Sequence, residues 1–352
     1  MGTLRVNLNE RSYDIVNEAG ILQHCGTHIA PLLRGKRCFV VSDTNVAPRY
    51  GDTVLDSLAA AGLEATLLTI PAGERSKTPE MLAWLWEQMA QGGVTRTDAV
   101  IALGGGVVGD LAGFAAATML RGVDYIQIPT TLLAQVDSSV GGKVAVDLVA
   151  GKNLAGAFYQ PKLVLMDPET LTTLPDRVFA DGMAEVIKYG CIWDEALFAK
   201  LERLGSRAAV MREITDITTA CCDIKRQVVE QDELDLGIRM ILNFGHTLGH
   251  VYEKAYHYET YTHGEAVAAG MVAAAKLGQK LGHTPAGTEE RIAALLAAFG
   301  LPTAIEAERT VCETVLGLDK KNQGKTIHFI FLERLGKALP VAMDRAALLA
   351  QL

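Results

Sequence analysis

The chain has 352 residues, of which 49% are hydrophobic and 21% charged, and its formal net charge is −8. This length is sufficient for two domains with substantial cores, and the composition is that of an ordinary globular protein. The negative charge argues against a binding surface for nucleic acid or for an anionic membrane, since both need a basic face.

The first half of the sequence alternates β-rich runs with amphipathic helical stretches. Alternation of this kind predicts a parallel sheet that is covered by helices on both faces. Thr78 stands before Pro79 and is predicted to cap a helix. The predicted strands are Cys38–Ser42, Ala65–Ile70, Ala99–Leu103, Tyr125–Ile128 and Leu163–Met166, and the predicted helices are Pro48–Ala61 and Thr78–Gln91.

The pattern changes at Leu174-Pro175, after which helical periods dominate to about residue 318. Ile327–Leu332 is a candidate late strand. We therefore predict an α/β domain over residues 1–175, Rossmann-like with a parallel sheet, and a mainly α-helical domain over residues 176–352.

A glycine-rich segment follows the predicted strand Ala99–Leu103. Gly104, Gly106 and Gly109 satisfy the pattern G-x-G-x-x-G where a helix should begin. Such glycines let the backbone approach a pyrophosphate, whose charge then lies at the helix N-terminus. They also serve tight turns and close helix–strand packing, so the pattern alone leaves both interpretations open. The order strand, turn, helix favours a dinucleotide.

An acidic partner for the ribose normally follows the glycines by about 20 residues. Asp124 fits that position poorly, whereas Asp43 follows the strand Cys38–Ser42 and is better placed. The arrangement therefore differs from the standard dinucleotide fingerprint. The polar loop Pro71–Lys77 also follows a strand, on the edge where ligands bind, although a solvated loop explains its composition equally well.

Three histidines lie within 18 residues of one another in the second half of the chain. His246 and His250 are four residues apart, so a helix would turn both to one side. His263 begins another helical run, and Glu185 offers a carboxylate. Histidines combined with one carboxylate and an open position are typical of catalytic zinc, although a single histidine is more often a core or surface group.

Several cations stand beside glycine, asparagine or histidine features rather than in charge runs. In an acidic protein a converging set predicts an anionic ligand such as phosphate or carboxylate, although each cation alone is more often solvated. Arg239 precedes Asn243 by four residues and His246 by seven, so a continuous helix would bring it near the metal ligands. The cations are Lys143, Lys152, Lys188, Lys225 and Arg239.

Six segments form a recognisable set: residues 104–110 (GGGVVGD), 129–143 (PTTLLAQVDSSVGGK), 151–153 (GKN), 156–161 (GAFYQP), 243–250 (NFGHTLGH) and 319–321 (DKK). On these segments, the chain resembles the 3-dehydroquinate synthase family of sugar-phosphate cyclases over nearly its whole length. The run from Pro129 to Lys143 separates this family from polyol dehydrogenases of the same fold. The resemblance implies that the first domain binds NAD and that the second binds zinc and substrate.

The resemblance also implies roles for individual residues. Zn²⁺, or Co²⁺ in its place, would be held by Glu185, His246 and His263. The implied NAD-binding residues are Asp43, Glu74, Lys77, Gly105, Gly106, Asp110, Thr130, Thr131, Lys143 and Lys152. The implied catalytic residues are His250, Lys143, Asp137, Lys188 and Asn243. The implied substrate-binding residues are Arg121, Asn153, Lys225, Arg239, Lys320 and Lys321.

The reaction implied by the resemblance converts 3-deoxy-D-arabino-heptulosonate 7-phosphate to 3-dehydroquinate and phosphate in the shikimate pathway of aromatic amino acid biosynthesis. It runs through transient oxidation by NAD, β-elimination of phosphate, re-reduction and an intramolecular aldol addition. Arg121 would reach the neighbouring subunit's site, which implies a homodimer. The alternatives are another sugar-phosphate cyclase, a metal-dependent polyol dehydrogenase and a non-catalytic NAD-binding protein.

Two segments depart from the family pattern. Asp235 stands where the family usually has Glu, and Val144–Asp147 replaces the usual Thr-Gly-Val-Asn, with the following loop to Val149 also different.

The six cysteines form no C-x-x-C pair. Residues 1–10 have no apolar core of the signal-peptide type, and no apolar run approaches about 20 residues. We therefore expect a cytoplasmic protein with reduced thiols and with neither a membrane nor a nucleic-acid partner.

Overall fold

The computed structural model of the chain describes residues 2–316 and 326–351. It contains two compact units. The first comprises the residues up to Leu174 together with Lys225–Leu234, and the second comprises Pro175–Ile224 and the residues from Asp235 onward. The segment Lys225–Leu234, which lies within the helical half of the sequence, therefore groups with the α/β unit.

The first unit is built on a seven-stranded sheet in the order β1-β2-β9-β6-β5-β3-β4. β1 and β2 pair antiparallel, and every other pairing in the sheet is parallel. The predicted parallel sheet is confirmed, with an antiparallel edge that the sequence analysis did not predict. Its strands are β1 (Gly2–Val6), β2 (Tyr13–Asn17), β3 (Arg37–Asp43), β4 (Glu64–Ile70), β5 (Ala99–Gly104), β6 (Asp124–Pro129) and β9 (Leu163–Met166).

Helices cover both faces of this sheet because its central strands are apolar on both sides. In β3, Phe39 and Val41 belong to one buried cluster, while Cys38 and Val40 belong to the other. Thr78 caps α3 by accepting a hydrogen bond from the backbone N–H of Met81, as predicted. The helices of this part are α1 (Cys25–Ile29), α2 (Ala47–Ala60), α3 (Pro79–Gln91) and α4 (Gly106–Thr118).

The sheet changes its direction of winding between β3 and β5. From β3 the chain passes outward to β4, and from β5 it passes outward on the other side to β6. The loops after β3 and β5 therefore diverge at adjacent strand ends, which is where parallel sheets bind ligands. Asp43 ends β3 and Gly104 ends β5, so both candidate nucleotide features lie at this point.

A two-stranded hairpin of β7 (Lys143–Leu148) and β8 (Gly151–Phe158) also belongs to the first unit. Val144 and Val146 pack from β7 into the same cluster as the α3 and α4 side chains. The hairpin was not predicted. It carries the segments 143–147 and 151–153, so their lysines and asparagine lie on paired strands.

The second unit is mostly helical, as predicted. Within residues 326–351 it also holds an antiparallel hairpin of β10 (Thr326–Arg334) and β11 (Lys337–Asp344), which confirms the late strand and adds an unpredicted partner. None of the helices in the described part of the chain has the length and apolarity needed to cross a membrane. The helices from residue 176 onward are α5 (Asp176–Ile192), α6 (Glu195–Leu204), α7 (Arg207–Met211), α8 (Ile214–Gln231), α9 (His246–Ala255), α10 (His263–Leu281), α11 (Thr288–Ala298), α12 (Arg309–Val315) and α13 (Arg345–Leu349).

Glycines bring α9 and α10 into close contact. A Cβ atom at Gly270 would lie 2.1 Å from the backbone oxygen of Gly245, and one at Gly249 would lie 3.3 Å from Cα of Val267. Larger residues at these positions would separate the helices. The close approach matters because α9 and α10 each carry one of the histidines predicted to bind metal.

Candidate functional site

Glu185, His246 and His263 form a cluster in the second unit, from α5, α9 and α10 respectively. The Nε2 atoms of His246 and His263 lie 3.5 and 3.6 Å from the same carboxylate oxygen, Oε1 of Glu185. Tetrahedral zinc with bonds of about 2.1 Å separates its ligand atoms by about 3.4 Å. The observed spacing and the two-nitrogen, one-oxygen donor set therefore fit a divalent metal.

The second ring nitrogen of each histidine also has an oxygen nearby. Nδ1 of His246 lies 3.2 Å from the carbonyl oxygen of Phe244, and Nδ1 of His263 lies 3.5 Å from Oε1 of Glu253. These partners leave Nε2 directed at Glu185 in both rings. Burial and the positive charge of Lys188 lower the pKa of His246 to about 3, so that ring is neutral, as a ligand must be.

His263 has a different environment. Burial alone would lower its pKa, but hydrogen bonds to Glu185 and Glu253, with their negative charges, raise the pKa to about 10. Glu253 is buried on α9, seven residues after His246 and three after His250. Glu253 was not among the residues predicted from the sequence. The spacing 246, 250, 253 places all three side chains on one helix face, and that signal could have revealed it.

The backbone of His263 is fixed at the first turn of α10. Thr262 and Glu265 form a capping box, and the carboxylate of Asp181 accepts a hydrogen bond from the N–H of Gly264. A Cβ at position 264 would lie 2.1 Å from the carbonyl oxygen of Asp181, so glycine is required there. Asp181 and Glu185 are one turn apart on α5, which therefore provides one metal-ligand candidate and anchors the helix that carries another.

Lys188 and His250 lie beside the cluster. Nζ of Lys188 contacts the second carboxylate oxygen of Glu185, and both side chains are almost fully buried. The rings of His246 and His250 have centroids 5.9 Å apart, which confirms that they share a helix face. Two of the three residues predicted to be catalytic in this unit, Lys188 and His250, are thus adjacent to the predicted metal ligands, while the third, Asn243, lies on a separate short helix before α9.

The expectation that Arg239 shares a helix with His246 is wrong. Arg239 and Asn243 lie on a short 3-10 helix, Ile238–Asn243, which ends before α9. Gly245 lies between this 3-10 helix and α9. It has a φ of 80°, and a Cβ there would lie 2.5 Å from Cγ of Met271. The left-handed turn breaks the helical period. Arg239 is nevertheless only 3% exposed, which excludes a solvated surface arginine.

At the other predicted site, in the first unit, the glycine loop has the geometry of an anion-binding turn. Gly105 is the N-cap of α4. Because glycine has no side chain, the N-cap residue does not cover the N–H groups of the first helical turn. A Cβ at Gly106 would lie 3.1 Å from Oγ of Ser138. The N–H of Thr130 donates to the carbonyl of Gly104, and the Thr131 hydroxyl accepts from the N–H of Ala134.

These residues fit a dinucleotide. The Oγ1 atom of Thr130 is buried beside the loop and has no hydrogen-bond partner among the described residues. Asp43 lies at the adjacent strand end, where its Oδ1 accepts from the backbone N–H groups of Asn45 and Val46. A buried polar atom next to a glycine turn and an uncapped helix start suits a polar, anionic ligand.

Lys77, Asp110 and Asn153 form one hydrogen-bonded group in the first unit. Nζ of Lys77 donates to Oδ2 of Asp110 at 2.6 Å and to Oδ1 of Asn153. Burial opposes the charge on Lys77, but Asp110 and Glu74 raise its pKa, so it is charged. The group joins two residues predicted for NAD with one predicted for substrate.

Other predicted residues of the first unit form ion pairs with charged side chains of the same unit. Nζ of Lys225 lies 2.8 Å from Oδ1 of Asp137 and donates to its backbone carbonyl at 2.6 Å. Nζ of Lys152 lies 3.8 Å from Glu74. Lys143 is exposed at the start of β7. Lys225 thus lies beside Asp137 although 88 residues separate them in sequence.

Arg121 lies on an exposed corner whose backbone is unusual. Leu120, Arg121 and Gly122 all have positive φ angles, of 51°, 69° and 119°. Such a run is costly for side-chain-bearing residues and is found most often at functional positions. Lys320 and Lys321 lie outside the described residues.

Asp235, one of the departures from the family pattern, has a φ of 59°. Aspartate and asparagine tolerate this left-handed conformation better than longer side chains do. The backbone here therefore favours the shorter residue. In the other departure, Asp147 accepts a hydrogen bond at 2.8 Å from the N–H of Asn153, which also has a positive φ.

Comparison with known proteins identifies relatives of the whole chain. Residues 67–181 match the family described as 3-dehydroquinate synthase N-terminal, and residues 182–322 match 3-dehydroquinate synthase C-terminal. The 3-dehydroquinate synthase of Clostridium botulinum (strain Alaska E43 / Type E3) is 48% identical over 340 residues, covering 96% of this chain and 97% of that protein.

Two solved structures resemble the chain along almost its entire length. The structure of 2-deoxy-scyllo-inosose synthase complexed with carbaglucose-6-phosphate, NAD⁺ and Co²⁺ gives a TM-score of 0.88 at 27% identity, with 99% of this chain and 98% of that one covered. The structure of 2-epi-5-epi-valiolone synthase from Streptomyces hygroscopicus subsp. jinggangensis 5008, with NAD⁺ and Zn²⁺ bound, gives 0.87 at 27% identity, with 98% of each chain covered.

Proposed function

This chain belongs to the 3-dehydroquinate synthase family, and we propose that it converts 3-deoxy-D-arabino-heptulosonate 7-phosphate to 3-dehydroquinate and phosphate. It is an enzyme of the carbon–oxygen lyase type, acting in the shikimate pathway. The observation that carries the proposal is the near-complete match to 3-dehydroquinate synthases, which spans both compact units. The metal cluster and the glycine loop supply the chemistry that this reaction needs.

NAD and a divalent metal are the cofactors; when bound, NAD would supply a reversible hydride acceptor and the metal would supply a Lewis acid for substrate hydroxyls. We propose that Glu185, His246 and His263 hold the metal, since their donor atoms lie within 4.8 Å of one another. For NAD we propose the loop Gly104–Gly106 together with Thr130, Thr131 and Asp43. In support, these residues combine an uncapped helix start with a buried hydroxyl oxygen.

In the first unit we propose that Lys143, Asn153 and Lys225 bind anionic groups of the substrate and that Asp137 orients Lys225. The Lys77–Asp110 pair would hold Asn153 in place from the cofactor side. Arg239 of the second unit is proposed to bind the phosphate, because a guanidinium offers two parallel donors to two oxygens.

His250 is the proposed proton carrier, since its ring lies next to that of His246 while remaining exposed. Lys188 keeps the second oxygen of Glu185 in position and adds positive charge beside the reacting hydroxyls. Asn243, at the end of the 3-10 helix, is proposed to contact the substrate. The roles of individual residues rest on the resemblance together with these contacts.

A turnover assay with the heptulosonate phosphate tests the function. We expect phosphate to be released with no net accumulation of NADH, since the same cofactor is oxidised again within the cycle. Stoichiometric accumulation of NADH would instead indicate a polyol dehydrogenase. Turnover of glucose 6-phosphate but not of the heptulosonate would indicate another cyclase of the same fold.

We also propose a homodimer in which Arg121 completes the partner's site; its exposed, left-handed corner supports this. Mixing Arg121→Ala subunits with His263→Ala subunits tests it. If Arg121 acts across the interface, random exchange should restore about a quarter of wild-type activity, because each mixed dimer holds one complete site. If no activity is recovered after subunit exchange has been verified, the proposal is contradicted.

We further propose a cytoplasmic location, supported by six cysteines that are all thiols.

A further inference from the structure

His263 has its two ring nitrogens directed at two different carboxylates. Nε2 lies 3.6 Å from Oε1 of Glu185, and Nδ1 lies 3.5 Å from Oε1 of Glu253. A neutral imidazole carries one proton, and the nitrogen that binds a metal must carry none. With Nε2 facing the other candidate ligands, the proton belongs on Nδ1, where Glu253 can accept it.

His246 shows the same arrangement with a different acceptor. Its Nε2 faces Glu185 at 3.5 Å, and its Nδ1 faces the carbonyl oxygen of Phe244 at 3.2 Å. The backbone therefore sets the tautomer and ring orientation of one histidine. Among the described residues, no backbone oxygen is a hydrogen-bond partner of the His263 ring, and the carboxylate of Glu253 from the neighbouring helix α9 lies beside Nδ1 instead.

The fold places Glu253 there through close helix packing. Glu253 is 3% exposed and lies on α9, while His263 is the first residue of α10. Gly249 and Gly270 allow the two helices to approach within the distance of a backbone contact. A carboxylate is expensive to bury without charged or hydrogen-bonding partners, so a buried glutamate beside a ligand candidate indicates a specific interaction.

We propose that Glu253 is a positioning residue for the metal centre: it accepts the Nδ1 proton of His263, fixes the ring with Nε2 toward the metal, and raises the basicity of that nitrogen. Carboxylates in this position orient ligating histidines and strengthen metal binding in other proteins. The proposal rests on the metal site of the proposed function, and it assigns a role to a residue outside the three ligands.

The test measures metal affinity and metal spectroscopy in the full-length protein. Wild type, Glu253→Ala and Glu253→Gln are stripped of metal and titrated with Co²⁺ and Zn²⁺ against a chromophoric chelator. Glu253→Ala should bind each metal about 10–100-fold more weakly and should shift the visible absorption bands of bound Co²⁺. Glu253→Gln keeps an oxygen acceptor of similar size without the charge, and its loss should be smaller, roughly 3–10-fold.

Glu202→Gln is the matched control. Glu202 pairs with Arg291 at 2.7 Å in the same unit, its side chain is 32% exposed, and it does not belong to the metal cluster. It should bind both metals as wild type does. Thermal unfolding of the metal-free proteins and NAD binding measured by fluorescence verify that each variant is folded.

Wild-type metal affinity and an unshifted Co²⁺ spectrum in the Glu253 variants would overturn the proposal, even if their thermal stability fell, because a merely structural glutamate changes only stability. If Glu253→Ala does not fold, Glu253→Gln decides by the same two measurements. If the wild-type protein itself binds neither Co²⁺ nor Zn²⁺, the proposed metal site fails rather than the role of Glu253 alone.

Discussion

The two predicted binding regions are organised in opposite ways. In the metal cluster of the second unit, both histidines direct Nε2 at one oxygen of Glu185, and a separate acceptor lies near each Nδ1. In the nucleotide region of the first unit, polar and charged side chains predicted to bind ligands contact one another, as Lys77 does with Asp110 and Asn153.

This difference has an energetic consequence. A metal ion adds bonds to donors that already converge, so its affinity depends on each donor and on the group that orients it. A ligand of the first unit must compete with hydrogen bonds that exist between its own binding residues, so part of its binding energy is offset by their rearrangement. Substitutions in the two regions should therefore have different signatures.

Removing a metal ligand should have the largest effect. His263→Ala removes one of three donors, and we expect it to lose bound metal and to lower kcat/KM by about 10³-fold or more, the equivalent of roughly 4 kcal/mol. Metal content by atomic emission and steady-state kinetics measure both losses. Binding of NAD should be unchanged, which would demonstrate that the two regions are independent.

His257→Asn is the control for this experiment. His257 is exposed and has a φ of 56°, a conformation that asparagine also tolerates. It should retain both metal and activity.

Removing the metal from the wild-type protein is a second test. A chelator should abolish its activity, and added Zn²⁺ should restore it. Full activity in metal-free protein would remove the basis of the comparison.

Arg239→Lys should have the next largest effect. Arg239 is almost fully buried, and lysine cannot reproduce the planar fork of donors. We expect metal and NAD to be retained while kcat/KM for the heptulosonate phosphate falls. The fall should correspond to a loss of about 2–4 kcal/mol in transition-state stabilisation, the range for a disrupted buried charge pair. An unchanged kcat/KM would mean that Arg239 does not bind substrate. Arg291→Lys, on the exposed Glu202 pair, is the matched control.

Asp110→Asn tests the paired region directly. Lys77 and Asp110 are 5% and 18% exposed at the side chain, and a hydrogen bond between charged groups contributes about 1.5–3 kcal/mol. We expect urea unfolding to show a loss in that range, and calorimetry to show weaker NAD binding with unchanged metal affinity. Asp124→Asn should cost less than about 0.5 kcal/mol, because its partner Lys162 is 54% exposed.

The sequence predicted the repeating parts of the fold because their signals are local. Alternating apolar runs identified the parallel strands, and Thr78-Pro79 identified a helix start. The hairpin of β7 and β8 escaped prediction because its strands contain glycine and charged residues and derive their stability from packing on α4. The grouping of Lys225–Leu234 with the first unit depends on tertiary contacts that no local period reveals.

The same distinction holds for the functional residues. Residue type and spacing indicated a metal site made of histidines and a carboxylate, and the family resemblance selected Glu185, His246 and His263 from the candidates. Spacing failed for Arg239, because the left-handed Gly245 interrupts the helix on which the argument depended. Glu253 was missed because its role depends on the approach of two helices. The partners of Lys77 and Lys225 are likewise distant in sequence.

The smallest expected effect separates two roles within the glycine loop. A Cβ at Gly106 would lie 3.1 Å from Oγ of Ser138 and in ordinary contact with Leu133 at 3.8 Å, whereas one at Gly109 would lie 3.0 Å from Oε1 of Gln127, which is buried. Gly106→Ala should therefore leave stability nearly unchanged but weaken NAD binding by about 3–10-fold, because the backbone can no longer approach the pyrophosphate. Gly109→Ala should lower the free energy of unfolding by about 1 kcal/mol, with a smaller change in NAD affinity. Isothermal titration with NAD and urea unfolding of both variants provide the four values. Equal losses of affinity would show that the loop binds the cofactor only through its overall shape, and that position 106 has no special role.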